Sequence, residues 1–283
     1  MKRRRLVRVP ASSANLGPGF DVMAAALSLH IEVEVQETGR FGVETDLQIA
    51  KDRRNLCVRG FAKLRPVDDF TFRIRSEVPL TGGLGTSAAA YVAGLVAADS
   101  MFELDADLLA LASELEGHPD NAAAALLGGL VICADGAATR FDAPVGLEAI
   151  LLIPHRAVRT IQARAALPAE IPMGDAVYNV AHAALLAFGL ARGDFDLIAR
   201  GLRDRVHQPR RASLYPRSAE VVEYAPELGA LGATVSGAGP AVLVWTHCEA
   251  TGVVLERLKE RAEGWAEVQR VTFESEGANV RAL

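Results

Sequence analysis

Apolar and polar residues alternate from Leu6 to Val9, from Ile31 to Val35 and from Phe70 to Ile74, the two-residue period of half-buried strands. The period then changes. Residues 86–101, 106–116 and 121–127 are rich in Ala and Leu and predict helices, with Asp105 and Asp120 as N-cap residues. A strand from Leu130 to Ala134 follows Gly128-Gly129, and around Pro144-Val-Gly146 the pattern restarts with a new apolar strand, Ala149 to Ile153. The second half predicts helices at 175–190 and 194–203, an Arg-rich loop, a helix at 216–227, two strands around a glycine motif, a helix at 249–263 and a strand at 266–273. Strands grouped with pairs of helices argue for an α+β fold rather than a doubly wound sheet. The expected division is 1–146 and 147–283.

Composition narrows the class without fixing it. A chain of 283 residues, 50% hydrophobic and 23% charged, suits a soluble enzyme of two modest domains. The net charge of −5 leaves no electrostatic footprint for nucleic acid, and Lys2-Arg-Arg-Arg5 reads as the solvated start of a strand. Cys57, Cys133 and Cys248 are odd in number and far apart, which predicts buried thiols in a reducing compartment. The apolar stretches are interrupted by Asp99 and Asp135 before they reach spanning length, and no leader pattern opens the chain, so a cytoplasmic protein with no membrane partner is expected.

The chemistry centres on Pro79-Leu-Thr-Gly-Gly-Leu-Gly-Thr-Ser-Ala-Ala-Ala90, where three glycines and two hydroxyls open onto an apolar helical segment. Glycines let backbone N–H groups approach an anion, and a helix starting there adds its dipole and its first free donors. No lysine stands in this loop, so it is not a Gly-Lys-Ser/Thr P-loop, and position 88 is Ala where a dinucleotide fingerprint wants Gly. The catalytic-loop and Asp-Phe-Gly signatures of protein kinases are missing as well.

Two further segments accompany the loop: Val9-Pro-Ala-Ser-Ser-Ala-Asn-Leu-Gly-Pro-Gly-Phe-Asp-Val22 and Gly232-Ala-Thr-Val-Ser-Gly-Ala-Gly-Pro-Ala-Val242. With the central loop they resemble the three motifs of the GHMP small-molecule kinases. Glu116-Gly-His-Pro-Asp-Asn121 makes the resemblance closest to the homoserine kinases of that superfamily. The resemblance implies a two-domain fold: an N-terminal, ATP-binding, ribosomal-S5-like domain with a left-handed βαβ unit over 1–146, and a ferredoxin-like C-terminal domain over 147–283.

It also implies a reaction, the ATP-dependent phosphorylation of the side-chain hydroxyl of L-homoserine in threonine biosynthesis, with Mg²⁺ as cofactor. ATP contacts fall to Pro79, Leu80, Thr81, Gly82, Gly83, Leu84, Gly85, Thr86, Ser87, Ala88 and Ala89. Asn55 is placed near the adenine, although a helix N-cap explains it equally well. Ser87 and Glu116 map onto the metal ligands, with Glu114 as the alternative. Arg164 and Arg211 take the substrate carboxylate, Arg210 standing beside the latter as a competitor, and Asp21 takes the ammonium group. Asn15 and Asn121 handle the hydroxyl. Asn is no base at neutral pH, so the expected catalysis is positioning and charge neutralisation without a strong general base.

His118 has no second ligand at zinc spacing and reads as a turn residue, while His182 stands where the family pattern leads one to expect Arg. A homodimer is implied by resemblance only. Two other functions stay open at this point: a GHMP kinase for another small alcohol, which would have no use for Asp21, and a non-catalytic regulatory relative, which would have no use for Ser87, Glu116 and Asn121 together.

Overall fold

The computed structural model describes residues 3–80, 82–158 and 160–283. The first half contains strands β1 (Arg4–Ala14), β2 (Met23–Glu37), β3 (Gly42–Glu44), β4 (Phe70–Ser76), β5 (Leu130–Ala134) and β6 (Ala137–Phe141). Its helices are α1 (Leu56–Ala62), α2 (Thr86–Phe102), α3 (Leu108–Glu116) and α4 (Asp120–Leu127). β1, β2 and β4 lie antiparallel, β3 joins β4 in parallel across α1, and the β5–β6 hairpin continues from β2. Val7, Val9, Val33, Val35 and Phe72 are fully buried beneath α2, whose Ala-rich surface is buried nearly all round and makes it the central helix of this layer.

The second half contains β7 (Leu147–Pro154), α5 (Thr160–Ala165), α6 (Met173–Arg192), α7 (Phe195–Gly201), α8 (Gln208–Arg211), α9 (Pro216–Tyr224), β8 (Gly232–Val235), β9 (Val242–His247), α10 (Cys248–Ala262) and β10 (Ala266–Val271). Its four strands run antiparallel in the order β10-β7-β9-β8. Reading β7, α9, β8, β9, α10 and β10 in turn gives the βαββαβ order of a ferredoxin-like layer. The chain then returns: β11 (Asn279–Ala282) pairs with β1 at the edge of the first sheet.

Several local expectations are corrected. Asp107, not Asp105, caps α3, its carboxylate accepting the Ala110 N–H at 3.0 Å. Asp105 instead sits in a left-handed conformation (φ 53°). Asp120 is the first residue inside α4 rather than its cap; Pro119 holds the cap position. The strand expected at Leu6–Val9 runs on to Ala14, so most of the first motif is strand, and its Ala and Ser positions hid the alternation. Cys57 and Cys133 are buried with their thiols pushed up to about 12 and about 11 by desolvation, whereas Cys248 is exposed. Among the described residues no helix is long and apolar enough to cross a membrane.

Candidate active site

A cavity of about 410 Å³ opens where the end of β1, the glycine loop, the start of α4, α5 and the third motif converge. The glycine loop is its floor. Ser236 Oγ donates to Gly83 O at 2.7 Å, Ala241 N to Gly82 O at 3.0 Å and Ser12 N to Leu84 O at 3.1 Å, so the loop is clamped between the first and third motifs. Gly83 has φ 83° and a Cβ there would stand 2.1 Å from Ser236 O; Gly85 has φ 64° and a Cβ would stand 2.0 Å from Ser12 Oγ. Neither position accepts a side chain. Gly85 is also the N-cap of α2 and offers no side-chain cap, so the first N–H groups of this 17-residue helix face the cavity region uncapped, with no acidic residue in the first turn. That combination of free donors and helix dipole suits a phosphate.

Beside the loop, Ser87 Oγ donates to Glu116 Oε1 at 2.5 Å. Burial raises the Glu116 carboxyl above its ordinary value, against the opposing effects of the Ser87 bond and of the His118 and Arg164 charges nearby. Two adjacent hard oxygens, one of them a desolvated carboxylate, fit a magnesium ion that draws its remaining ligands from water and phosphate oxygens. Among the described residues there is no cluster of three or more His, Cys, Asp and Glu that could hold a metal ion. Glu114 is elsewhere, paired with Lys63 at 2.8 Å, exposed and away from the cavity.

The opposite wall carries charge. Asp21, at the tip of the β1–β2 loop, has φ 56° and donates its N–H to Asn15 Oδ1 at 3.0 Å, while Asn15 Nδ2 donates to Gly237 O at 2.7 Å. Asn15 is thereby a strut: both ends of its amide are engaged in holding the loop. Asp21 accepts from Arg164 Nη2 at 2.9 Å and Nη1 at 3.1 Å, a bidentate pair that raises the Arg164 pKa. Arg211 is only 2% exposed and is pinned by neutral oxygens, Nε donating to Ala163 O at 2.9 Å and Nη1 to Gly237 O at 3.3 Å. Burial lowers its pKa, the signature of a cation without a full counter-ion. The Phe20 ring is near both guanidiniums, 6.0 Å from Arg164 Cζ and 5.3 Å from Arg211 Cζ. Arg210, the competitor for this role, points elsewhere: it pairs with Asp175 at 3.0 Å and does not line the cavity.

Between the two ends stands Asn121, its Oδ1 accepting from Ser12 Oγ at 2.8 Å and its Nδ2 without a hydrogen bond among the described residues. His118, which reads from sequence as a turn residue, also lines the cavity, its Nδ1 2.7 Å from Oδ1 of the buried Asp120. That bond raises the His118 pKa, favouring the cationic ring. His182 stacks on Tyr178 with centroids 3.8 Å apart and lies outside the cavity.

The structure thus brings together Asn15, Asp21, Leu80, Gly82, Gly83, Leu84, Gly85, Thr86, Ser87, Glu116, Asn121, Arg164 and Arg211. Thr81 lies outside the described residues. Pro79 does not line the cavity; its carbonyl accepts from Thr86 Oγ1 at 2.8 Å. Ala88 and Ala89 are fully buried in α2 and face the core. Asn55 lines a neighbouring, largely apolar cavity with Ile31, Leu47, Ile74, Thr86 and Ser87. It caps α1, accepting from Cys57 N at 2.9 Å, and donates to Ala50 O at 2.8 Å. Sequence reasoning did not single out Phe20, Ser12 or the Gly237 carbonyl as site groups, although Phe20 and Ser12 sit inside the first motif and Gly237 inside the third.

A glycine-loop anion site joined to a small, two-signed polar pocket defines a small-molecule kinase, and the comparisons agree. Residues 53–129 match the family model for the GHMP kinases N terminal domain and residues 183–264 that for the GHMP kinases C terminal. A homoserine kinase of Gloeobacter violaceus is 42% identical over 277 residues, covering 89% of this chain and 91% of that protein. One of Moorella thermoacetica is 40% identical over 256 residues, with 85% and 86% covered. The crystal structure of homoserine kinase from Cytophaga hutchinsonii superposes with a TM-score of 0.89 at 30% identity, over 99% of this chain and 98% of that one. The chain belongs to the homoserine kinase family of the GHMP kinases.

Proposed function

We propose that this protein phosphorylates the side-chain hydroxyl of L-homoserine at the expense of ATP, giving O-phospho-L-homoserine and ADP for threonine biosynthesis. The observation that carries the reading is the two-ended cavity: uncapped backbone donors at one end, a carboxylate and two guanidiniums at the other, and Asn121 between them. A zwitterionic amino alcohol has complementary ends and a hydroxyl that reaches across.

Glycine-loop N–H groups and the N-terminus of α2 hold the triphosphate. The apolar cavity beside Asn55 takes the base, with Asn55 supporting the wall rather than touching it, since both ends of its amide are bonded. Ser87 and Glu116 hold Mg²⁺, which when bound neutralises triphosphate charge. Asp21 receives the ammonium group, and Arg164 and Arg211 the carboxylate. Asn121 Nδ2 and the Asn15 strut fix the hydroxyl and the loop that presents it. The hydroxyl oxygen bonds to the γ-phosphorus as the bond to the bridging oxygen breaks and ADP leaves; the proton departs with solvent or a phosphoryl oxygen. A strong base is not required by a loose transition state. Asp120 is spent on His118 and the Asn121 N–H, and His118, biased toward its cation, adds positive charge instead. We place the division between nucleotide-binding and C-terminal halves at 146/147, the protein in the cytoplasm and its assembly as a homodimer.

ADP release with Mg-ATP against L-homoserine, mevalonate, galactose, shikimate and L-serine tests the reading. Turnover confined to L-homoserine is expected; turnover of another alcohol, or silence across the panel, would reject it.

A further inference from the structure

The groups assigned to the two ends of the substrate are bonded to each other across the cavity. Both Nη atoms of Arg164 and both oxygens of Asp21 are used in one bidentate pair, at 2.9 and 3.1 Å. The partners differ in how firmly they are held. Asp21 is fixed by its N–H bond to Asn15, on a loop tied to Gly237. Arg164 rides on α5, a six-residue helix in which Ala163 is the one buried residue. Both side chains are partly exposed, 42% for Arg164 and 35% for Asp21, so the pair can exchange partners without passing through a dry core.

We propose that the Asp21–Arg164 pair is a charge-exchange latch that selects zwitterions. The proposal rests on the substrate reading above and adds to it. A substrate carrying both an ammonium and a carboxylate opens the pair with each partner re-paired: Asp21 takes the ammonium, and the Arg164 fork takes the carboxylate alongside Arg211. An alcohol with a carboxylate alone re-pairs Arg164 and leaves Asp21 unpaired in a half-closed site. An alcohol with an amine alone leaves Arg164 unpaired. Either half-substrate must therefore compete with the internal partner, and discrimination exceeds what the missing contact alone would give. Arg211 is not part of the exchange, because its bonds go to the carbonyls of Ala163 and Gly237 and to the His207 ring, and none to Asp21. Its bond to Ala163 also tethers α5, keeping Arg164 within reach of the cavity when the pair opens.

The test measures kcat/KM in the full-length protein for L-homoserine, for 4-hydroxybutanoate (the same chain without the ammonium) and for 3-aminopropan-1-ol (without the carboxylate), in wild type, Asp21→Asn and Arg164→Gln. With no carboxylate at 21 the latch is open. Turnover of 4-hydroxybutanoate by Asp21→Asn should then rise above wild type, about two- to fivefold, the worth of a partly exposed ion pair, while L-homoserine turnover falls. Arg164→Gln should show the mirror result with 3-aminopropan-1-ol. If L-homoserine turnover falls but neither half-substrate improves in its variant, Asp21 and Arg164 bind the substrate without exchange, and the latch is rejected while the substrate reading stands. If L-homoserine turnover is unchanged in both variants, the substrate reading itself fails. Circular dichroism and thermal midpoints of the two variants identify any loss that comes from misfolding, and the second variant carries the test if the first does not fold.

Discussion

The two ends of the cavity are built by different physics. At the phosphate end the ligating groups are backbone N–H groups, held in left-handed conformations at Gly83 and Gly85 and clamped by Ser236, Ala241 and Ser12. At the substrate end they are charged side chains, and one pair of them, Asp21 and Arg164, is bonded to itself. Preorganised backbone suits a ligand whose chemistry never varies, because nothing has to reorganise as charge develops. Exchangeable side chains suit the end where the protein must tell one small alcohol from another.

Substitutions can break this contrast in order of severity. Glu116→Gln removes the desolvated carboxylate beside Ser87 and should lower kcat by about 10²-fold or more with little change in thermal midpoint. Steady-state kinetics over a range of magnesium concentrations check it, and near-normal kcat would move the metal elsewhere. Gly83→Ala places a Cβ 2.1 Å from Ser236 O and should cost about 1–3 kcal/mol of stability together with ATP affinity, read from thermal unfolding and nucleotide binding. If ATP binding survived intact, the loop would not be the rigid half of the comparison. Arg211→Ala should raise KM for L-homoserine about ten- to hundredfold, the equivalent of about 1.5–3 kcal/mol for a charged hydrogen-bonded contact, and leave KM for ATP nearly unchanged. Arg210→Ala, which loses the Asp175 pair and the bonds to the Arg205 and Val206 carbonyls but no contact in the cavity, should change either constant by less than about fivefold.

A smaller effect sharpens the picture through pH. The bond to Asp120 raises His118 above its ordinary 6.5, so its contribution to stability is complete below pH 6.5 and is lost as pH climbs through the raised value. Burial also raises Glu116, from a lower ordinary value of 4.5, so its effect has the same sign in a more acidic window. Thermal midpoints measured against pH should therefore fall on the alkaline side of 6.5, and His118→Gln should flatten that limb. An unaltered limb in the variant would assign the titration to another group.

Much of this was readable in the chain because both fold and site write themselves into local patterns. The alternation in β2 and β4 and the Ala-rich run of α2 follow from half-buried strands and a helix buried nearly all round, and glycines at 83 and 85 follow from backbone that accepts no Cβ. What escaped depended on distant partners. The short helix α5 lacks the length for a periodic signal, α1 showed only its Asn55 cap, and β11 has four exposed residues whose pairing with β1 spans the whole chain. Asp105 and Asp107 are equally good caps by type, and only the backbone at 105 decides between them. Arg210 and Arg211 are neighbours in sequence but leave α8 on different sides, one toward Asp175 and the other toward the cavity. His118 has no sequence mark of its role; its place on the cavity wall comes from the turn between α3 and α4 and its bond to Asp120.

The most direct test of the two-ended cavity is a crystal structure of the protein with L-homoserine and a non-hydrolysable ATP analogue. The account predicts the ammonium on Asp21, the carboxylate on Arg164 and Arg211, and the hydroxyl beside Asn121, facing a γ-phosphate held on the glycine loop. An amino acid bound with its ends reversed, or bound with the Asp21–Arg164 pair intact and out of contact, would contradict it.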